Sequence, residues 1–345
     1  MKTVKIVIIG FGNVGRAFAR VVALKKKIIG SKYGISLSIV GVADSKGMAL
    51  RSDGFTEYEL LKLCEVPRSS VNLFSPYAYD YVDLRYMYDQ VQPDIHVELT
   101  PANYLTGEPG LSNIVFALSR KVHVVTANKA PIVLKYRELS GIAKKNSLQL
   151  RFRSTVMGGT PLIDTIMSLR SEEIEKIEGI LNATTNLILT EMHDKLIDFD
   201  EALKRAQIMG LAEADPSLDI DGVDAAAKIV ILSHVIDRSI ALNDIKRESL
   251  SKVKLRDVVE AIKEGFTIKY IALFDVSRKE AFVRIVRIPR TDVFAQIGGT
   301  LNAVRIKTDV SELFFVGKGG GGTETAHSVL DDVIAIALGI EGDKR

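Results

Sequence analysis

Short, unbroken apolar runs alternate with stretches of helical spacing over the first 150 residues. VKIVIIG (4–10), SLSIVGVADS (36–45), DIHVELT (94–100) and KVHVVTANKAP (121–131) have the continuous apolar character of strands covered on both faces. RAFARVVAL (16–24) and LSNIVFALSR (111–120) place apolar residues three and four apart, as amphipathic helices do. Strands alternating with helices predict a parallel sheet made of βαβ units. ALKKKIIGSKYGI (23–35) reads as an insertion before the second strand. Residues 55–92 read as helical, with YAYDYVDLRYMYD (77–89) as a surface helix that carries no chemistry.

Beyond residue 150 the order changes. LQLRFRST (148–155) and KIEGILNA (176–183) read as strands, LIDTIMSLR (162–170) as a helix, and TTNLILTEMHDKL (184–196) as a helix capped by Thr184 and Thr185. DFDEALKRAQIMG (198–210) has Asp198 as N-cap, Glu201 as its capping-box partner and Gly210 as its stop. Another helix starts near Val223. From 267 to 316 a period of two takes over, the mark of half-buried strands. GKGGGGTETAHSVLDDVIAIALGI then closes the chain. Its glycine run reads as a loop of close backbone approach, and its apolar helix as one returning to the first domain.

Bulk properties narrow the class. The 345 residues are 47% apolar and 26% charged, enough for two domains with a large core. A formal net charge of +3, without a basic stripe interleaved with aromatics, points to no nucleic acid and no anionic membrane as partner. No run approaches the roughly 20 apolar residues that span a bilayer, and the N-terminal run is too short and too β-branched for a signal peptide. The single cysteine, Cys64, excludes an internal disulfide, as suits a reducing cytoplasm. The expectation is a cytoplasmic protein.

Two stretches carry candidate chemistry. The first is Gly10-Phe11-Gly12-Asn13-Val14-Gly15, set between a strand and a helix. In that context Gly10 permits the tight turn, Gly12 lets backbone approach a pyrophosphate, and Gly15 lets the helix pack on the strand; a ligand-free βαβ turn is the alternative. The second strand ends in Asp44, which suits ribose hydroxyls and favours NAD, whereas Ser45, Lys46 and Arg51 suit a 2′-phosphate. NAD or NADP therefore both remain, with a lean to NAD. Thr100 and Lys129 stand at the carboxyl ends of parallel strands, where ligands bind. His123 reads as a satisfied core histidine. The expected fold is thus α/β: a Rossmann-like dinucleotide-binding domain over 1–150, an α+β catalytic and dimerisation domain over 151–316, and the C-terminal loop and helix over 317–345.

The second stretch is GLAEADPSLDIDGVDAAAK (210–228), where Glu213, Asp215, Asp219, Asp221 and Asp224 precede Lys228. A solvated acidic loop is the plain reading. Against it, the segment connects two helices tightly, and Asp224 and Lys228 stand four apart on one helical face, where a carboxylate preceding an amine is well oriented. Such a pair can hold an amine beside a polar substrate with its pKa tuned by burial. Calcium fails on spacing. An EF-hand loop begun at Asp215 puts Ile220 at the turn glycine and Ala226 at the bidentate glutamate, and one begun at Asp219 ends on Val230.

Together IIGFGNVG, VELTP, HVVTANKAP, NATTNLIL, the acidic block and VGKGGGGTETAHSVLDDVI resemble homoserine dehydrogenase along nearly the whole chain. The resemblance implies NAD(P)-linked interconversion of aspartate semialdehyde and L-homoserine, in a homodimer built on the β-rich region. It also implies Lys228 as catalytic acid/base with Asp224 as partner, and Glu213 and Asp219 receiving the substrate's polar ends. Gly210, Thr184 and Thr185 line that pocket, Lys129 lies between nicotinamide and substrate, and Gly321 lies along the cofactor. Three departures stand out: Ala183 replaces a glycine, Lys318 replaces a proline, and Arg153 stands where many members carry a glutamate that helps bind sodium. The carbonyls of Val156, Gly158 and Thr160 are what such an ion would still find. The sequence also ends shortly after these motifs, so no regulatory ACT domain is expected. Other readings are another NAD(P)-dependent amino-acid dehydrogenase of the same plan, or a non-catalytic dinucleotide sensor. The lysine and its carboxylates argue against a sensor, which needs only the glycine motif.

Overall fold

The computed structural model describes residues 2–342; Met1 and residues 343–345, which the expected first and last domains include, lie outside it. The chain divides into two compact units, one running to Thr155 and resuming at Gly321, the other spanning Val156–Gly320. Breaks at 150 and 316 would each cut a strand, which places the divisions a few residues later than the sequence pattern suggests.

In the first unit, strands β1 (Lys2–Ile9), β2 (Ile35–Ala43), β3 (Met48–Leu50), β4 (Ala78–Tyr79), β5 (Ile95–Glu98), β6 (His123–Thr126) and β7 (Leu150–Arg151) form one sheet in the order β4-β3-β2-β1-β5-β6-β7. The pairs from β2 through β7 are parallel, while β3 and β4 add an antiparallel edge. Continuous burial of Val4, Ile6, Ile8, Ile95 and Val97 explains the unbroken apolar runs, each such side chain contributing about 1.5–3 kcal/mol. The helix Gly322–Gly342 packs into this core through Ala326, Val329, Leu330, Val333 and Ile336.

Three local expectations change. The 23–35 segment is no insertion, because Asn13–Tyr33 is one helix and the added turns alone lengthen the path to β2. Residues 77–89 are not a helix: Tyr79 belongs to β4, the rings of Tyr79, Tyr81 and Tyr86 stack edge-on, and helix begins only at Leu84, capped by Asp83. Within 55–92 the other regular helix is Glu57–Leu63. LQLRFRST supplies the two-residue β7 and then a 3₁₀ turn over Arg153–Thr155.

In the second unit β8 (Ile174–Ile180), β9 (Lys246–Arg247), β10 (Phe266–Asp275), β11 (Glu280–Pro289), β12 (Leu301–Thr308) and β13 (Glu312–Lys318) order as β13-β12-β8-β10-β11-β9. The sheet is antiparallel except at β11–β9. Helices Ala183–Lys195 and Val223–Val235 carry the functional cluster described next. At Phe199–Ile208, Asp198 takes the N-cap position without a side-chain cap bond, since Glu201 pairs with Arg205 at 2.8 Å instead of closing a capping box. Gly210, at φ +69°, stops that helix as a left-handed residue should.

Candidate active site

The glycine turn marks the candidate site of the first unit. Gly10 has φ +99°, and a Cβ there would run into the Leu99 carbonyl; a Cβ on Gly15 would meet the Gly10 carbonyl oxygen. A Cβ on Gly12 would meet nothing within 4 Å. Two glycines therefore serve packing and the third leaves open space. No side chain caps the helix that follows Gly12, so its first N–H groups are available to an anion.

Beside the turn lies a cavity of about 470 Å³ whose lining includes Gly10, Gly12, Asp44, Ser45, Arg68 and Thr100. Asp44 accepts from the backbone N–H of Lys46 at 2.9 Å and of Val71 at 3.0 Å, which fixes its carboxylate at the cavity edge. Arg51 is committed elsewhere, to Glu59 and the Tyr77 ring, and so is withdrawn from a phosphate role. Arg68, which no local pattern marks, donates to Asn13 Oδ1 at 2.5 Å. Phe11 lines the cavity, but its ring belongs to the core. Val14 lies half-buried in the first turn of the helix. A Cβ on Gly322, next to Gly321, would stand 3.7 Å from the Asn13 carbonyl, bringing the last glycine loop to the turn. Lys129 opens the helix Lys129–Lys145, capped by Asn128 through Ala130 N–H at 3.1 Å. His123 accepts the Gln149 N–H at 3.0 Å, as a satisfied histidine should.

In the second unit a separate cluster is built around Lys228, 5% exposed on the Val223–Val235 helix. Its ammonium meets Asp224 at 2.7 Å, one turn back, and donates to the Leu181 carbonyl at 2.5 Å. An ammonium has three donors, so one remains for a substrate oxygen. Asn182 Nδ2 donates to Asp219 at 2.6 Å and to Asp224 at 3.0 Å, bridging two carboxylates that would otherwise repel. Burial, and after it the Asp224 charge, raise the Asp219 pKa above its ordinary value.

The cap of the Ala183–Lys195 helix is Asn182, whose Oδ1 accepts the Thr185 N–H at 2.9 Å, not Thr184 or Thr185. Thr185 turns its hydroxyl back to the Asn182 carbonyl at 3.2 Å, and Thr184 donates to the Leu211 carbonyl at 3.1 Å. Ala183 is simply the first helical residue, a position that favours alanine over glycine. The bridging role of Asn182, like the position of Arg68 at the cavity, is what sequence reasoning missed. Glu213 is exposed, and its carboxylate takes no hydrogen bond or ion pair among the described residues; its recorded contact is its carbonyl with Gln207 at 3.1 Å.

In the loop that would offer carbonyls to an ion, the Thr160 carbonyl accepts the Leu162 N–H at 2.8 Å, and the Arg153 guanidinium pairs with Asp331 at 3.3 Å. No ion is assigned to Val156, Gly158 and Thr160.

A parallel-sheet unit whose glycine turn opens on a cavity, and a second unit holding a buried amine paired with a carboxylate, are the two parts of a two-domain dehydrogenase. The family model described as homoserine dehydrogenase matches residues 161–334. A homoserine dehydrogenase of Methanocaldococcus jannaschii is 37% identical over 96% of this chain and 98% of its own length. An NAD(+)-dependent homoserine dehydrogenase of Pseudomonas canavaninivorans is 33% identical over 97% of each chain. The structure of a hyperthermophilic archaeal homoserine dehydrogenase mutant in complex with NADPH superposes with a TM-score of 0.83 at 31% identity, covering 98% of both chains. The chain belongs to the homoserine dehydrogenase family.

Proposed function

We propose that this chain interconverts L-aspartate 4-semialdehyde and L-homoserine using NAD or NADP, with Lys228 as the catalytic acid/base. The observation that carries the proposal is the buried Lys228 amine, oriented by Asp224 and the Leu181 carbonyl and left with one donor. A bound nicotinamide supplies the hydride exchange at the substrate carbon. Lys228 stabilises the charge that develops on the substrate oxygen and exchanges a proton with it. Asp219 and Asp224, held by Asn182, attract the substrate ammonium. Thr184, Gly210 and Glu213 complete that pocket, Thr185 holds Asn182 in place, and Lys129 is a second amine that takes part in the reaction. The cavity at Gly10, Gly12, Asp44, Ser45 and Thr100 takes the dinucleotide, with Asn13, Val14, Gly15 and Gly321 in the adjoining turn and loop. A relative named for NAD(+) and a neighbour holding NADPH support both cofactors.

The proposal includes a cytoplasmic homodimer joined through the second sheet. Its edge strand β13 leaves Val316 45% exposed and Phe314 and Phe315 half-buried, an apolar edge that natural proteins cover. Among the described residues no helix is long and apolar enough to cross a membrane.

The test is absorbance of reduced nicotinamide with L-homoserine and either cofactor. Homoserine-dependent reduction is expected, and Lys228→Ala should lower turnover by about 10²–10⁴ while cofactor binding persists. Silence with both cofactors, and with the semialdehyde and both reduced forms, overturns the proposal, as does equal turnover in the variant.

A further inference from the structure

His96 and Glu98 stand two apart on β5, so both side chains leave the same face of the strand, and both are fully buried in a strand that is otherwise apolar. Burying polar and charged groups is unfavourable unless their hydrogen bonds are met. Here they are. Glu98 accepts the Thr100 N–H at 2.7 Å, the Thr100 hydroxyl and Asn113 Nδ2 at 2.9 Å, and meets His96 Nε2 at 3.5 Å. The Tyr88 phenol lies 2.9 Å from His96 Nδ1. Burial raises the pKa of that phenol well above its ordinary value. On the other side Asn128 Nδ2 donates to Thr100 Oγ1 at 3.2 Å and to the Pro101 carbonyl at 3.3 Å. The network ends at the cavity: Thr100, Pro101 and Asn113 are part of its wall.

We propose that Glu98 is the positioning residue of the dinucleotide cavity, a buried acceptor that fixes Thr100 and Asn113 in the wall and, through Thr100, the Asn128 cap that precedes Lys129. The inference rests on the reading of that cavity as the cofactor site. A purely structural residue at a strand end would need only volume, whereas this one gathers donors from β5, the Gly110–Ser119 helix and the strand end at Thr100 onto two oxygens.

The experiment compares the full chain with Glu98→Gln by reduced-nicotinamide fluorescence titration and steady-state kinetics. Glutamine keeps the size but puts an NH₂ group where donors already converge. The expected result is a cofactor Kd and KM raised about tenfold or more, with the homoserine KM within about twofold. Asn113→Leu should show the same split, and the double variant should be no worse than the poorer single one, as coupled residues behave. An unchanged cofactor Kd in Glu98→Gln overturns the inference, as does an equal rise in both KM values. Should Glu98→Gln fail to fold, Thr100→Val and Asn113→Leu decide by the same split. Wild-type protein that binds neither cofactor overturns the reading of the cavity and this inference with it; wild-type binding undiminished in the variants overturns the inference alone.

Discussion

Asn182 performs two tasks with one carboxamide: it caps a helix through Oδ1 and bridges Asp219 and Asp224 through Nδ2. Two substitutions separate these tasks. Serine is itself a good N-cap, so Asn182→Ser should lose little stability, whereas Asn182→Ala should cost about 1 kcal/mol in urea unfolding. Both remove the bridge. Asn182 is among the donors that hold the Asp219 pKa down against burial and the Asp224 charge, so removing it raises that pKa further. Asp219 then takes up its proton at a higher pH and stops attracting the substrate ammonium sooner. The acid limb of kcat/KM for homoserine should therefore move to higher pH in both variants, with a fall of about tenfold or more at neutral pH. An acid limb that stays in place would reduce Asn182 to a cap.

The glycine turn allows a similar separation within one element. Gly10 combines a positive φ with backbone contact at Leu99, so Gly10→Ala should destabilise by more than about 2 kcal/mol. Gly12 has φ −81° and open space at its Cβ position, so Gly12→Ala should leave the melting temperature nearly unchanged while weakening cofactor binding at least about tenfold, because the methyl occupies the backbone's approach to the pyrophosphate. Equal cofactor affinity in Gly12→Ala would remove the phosphates from the turn. This turn was legible in the sequence because its constraint is local: a strand, three spaced glycines and a helix leave a one-dimensional trace. The parallel strands were legible for the same reason, since burial on both faces makes them continuous apolar runs. Tyr79, Tyr81 and Tyr86 misled because their spacing answers to ring stacking rather than to a helical face. The expected pairing of Asp198 with Glu201 failed because Arg205, four residues on, competes for Glu201. The bridging role of Asn182 and the contact of Arg68 left no trace. Each reaches its partners across the tertiary fold, Asn182 over 37 residues to Asp219 and Arg68 over 55 to Asn13, and sequence spacing carries no record of such contacts.

Stability against pH is expected to depend on a second buried amine, far in sequence from Lys228. Lys269, 3% exposed on β10, donates to the Ile297 carbonyl at 2.5 Å and lies 3.4 Å from Asn186 Oδ1. Burial, only partly offset by Asp194, holds its pKa down to about 8. The neighbouring His193 accepts the Ile268 N–H at 3.0 Å and is held at about 4, chiefly by burial and then by Lys269, so it stays neutral in the alkaline range. Below about pH 8 Lys269 is charged in both folded and unfolded chains, and the folded state bears the full desolvation cost. Between that value and the ordinary 10.5 the unfolded chain binds the extra proton, so stability rises with pH. Across the whole window this gain amounts to roughly 3 kcal/mol at about 1.4 kcal/mol per pKa unit. Lys269→Met removes the titrating group but keeps most of the volume, and the Ile297 carbonyl retains the Asn186 Nδ2 donor at 3.2 Å. Urea unfolding followed by far-ultraviolet circular dichroism at pH 7.5 and 9.5 should therefore show wild type gaining on Lys269→Met as pH rises, whatever the offset between them at the lower pH. Parallel stability curves would mean that the buried amine keeps its proton throughout, and that its bonds to Ile297 and Asn186 outweigh the burial that should expel it.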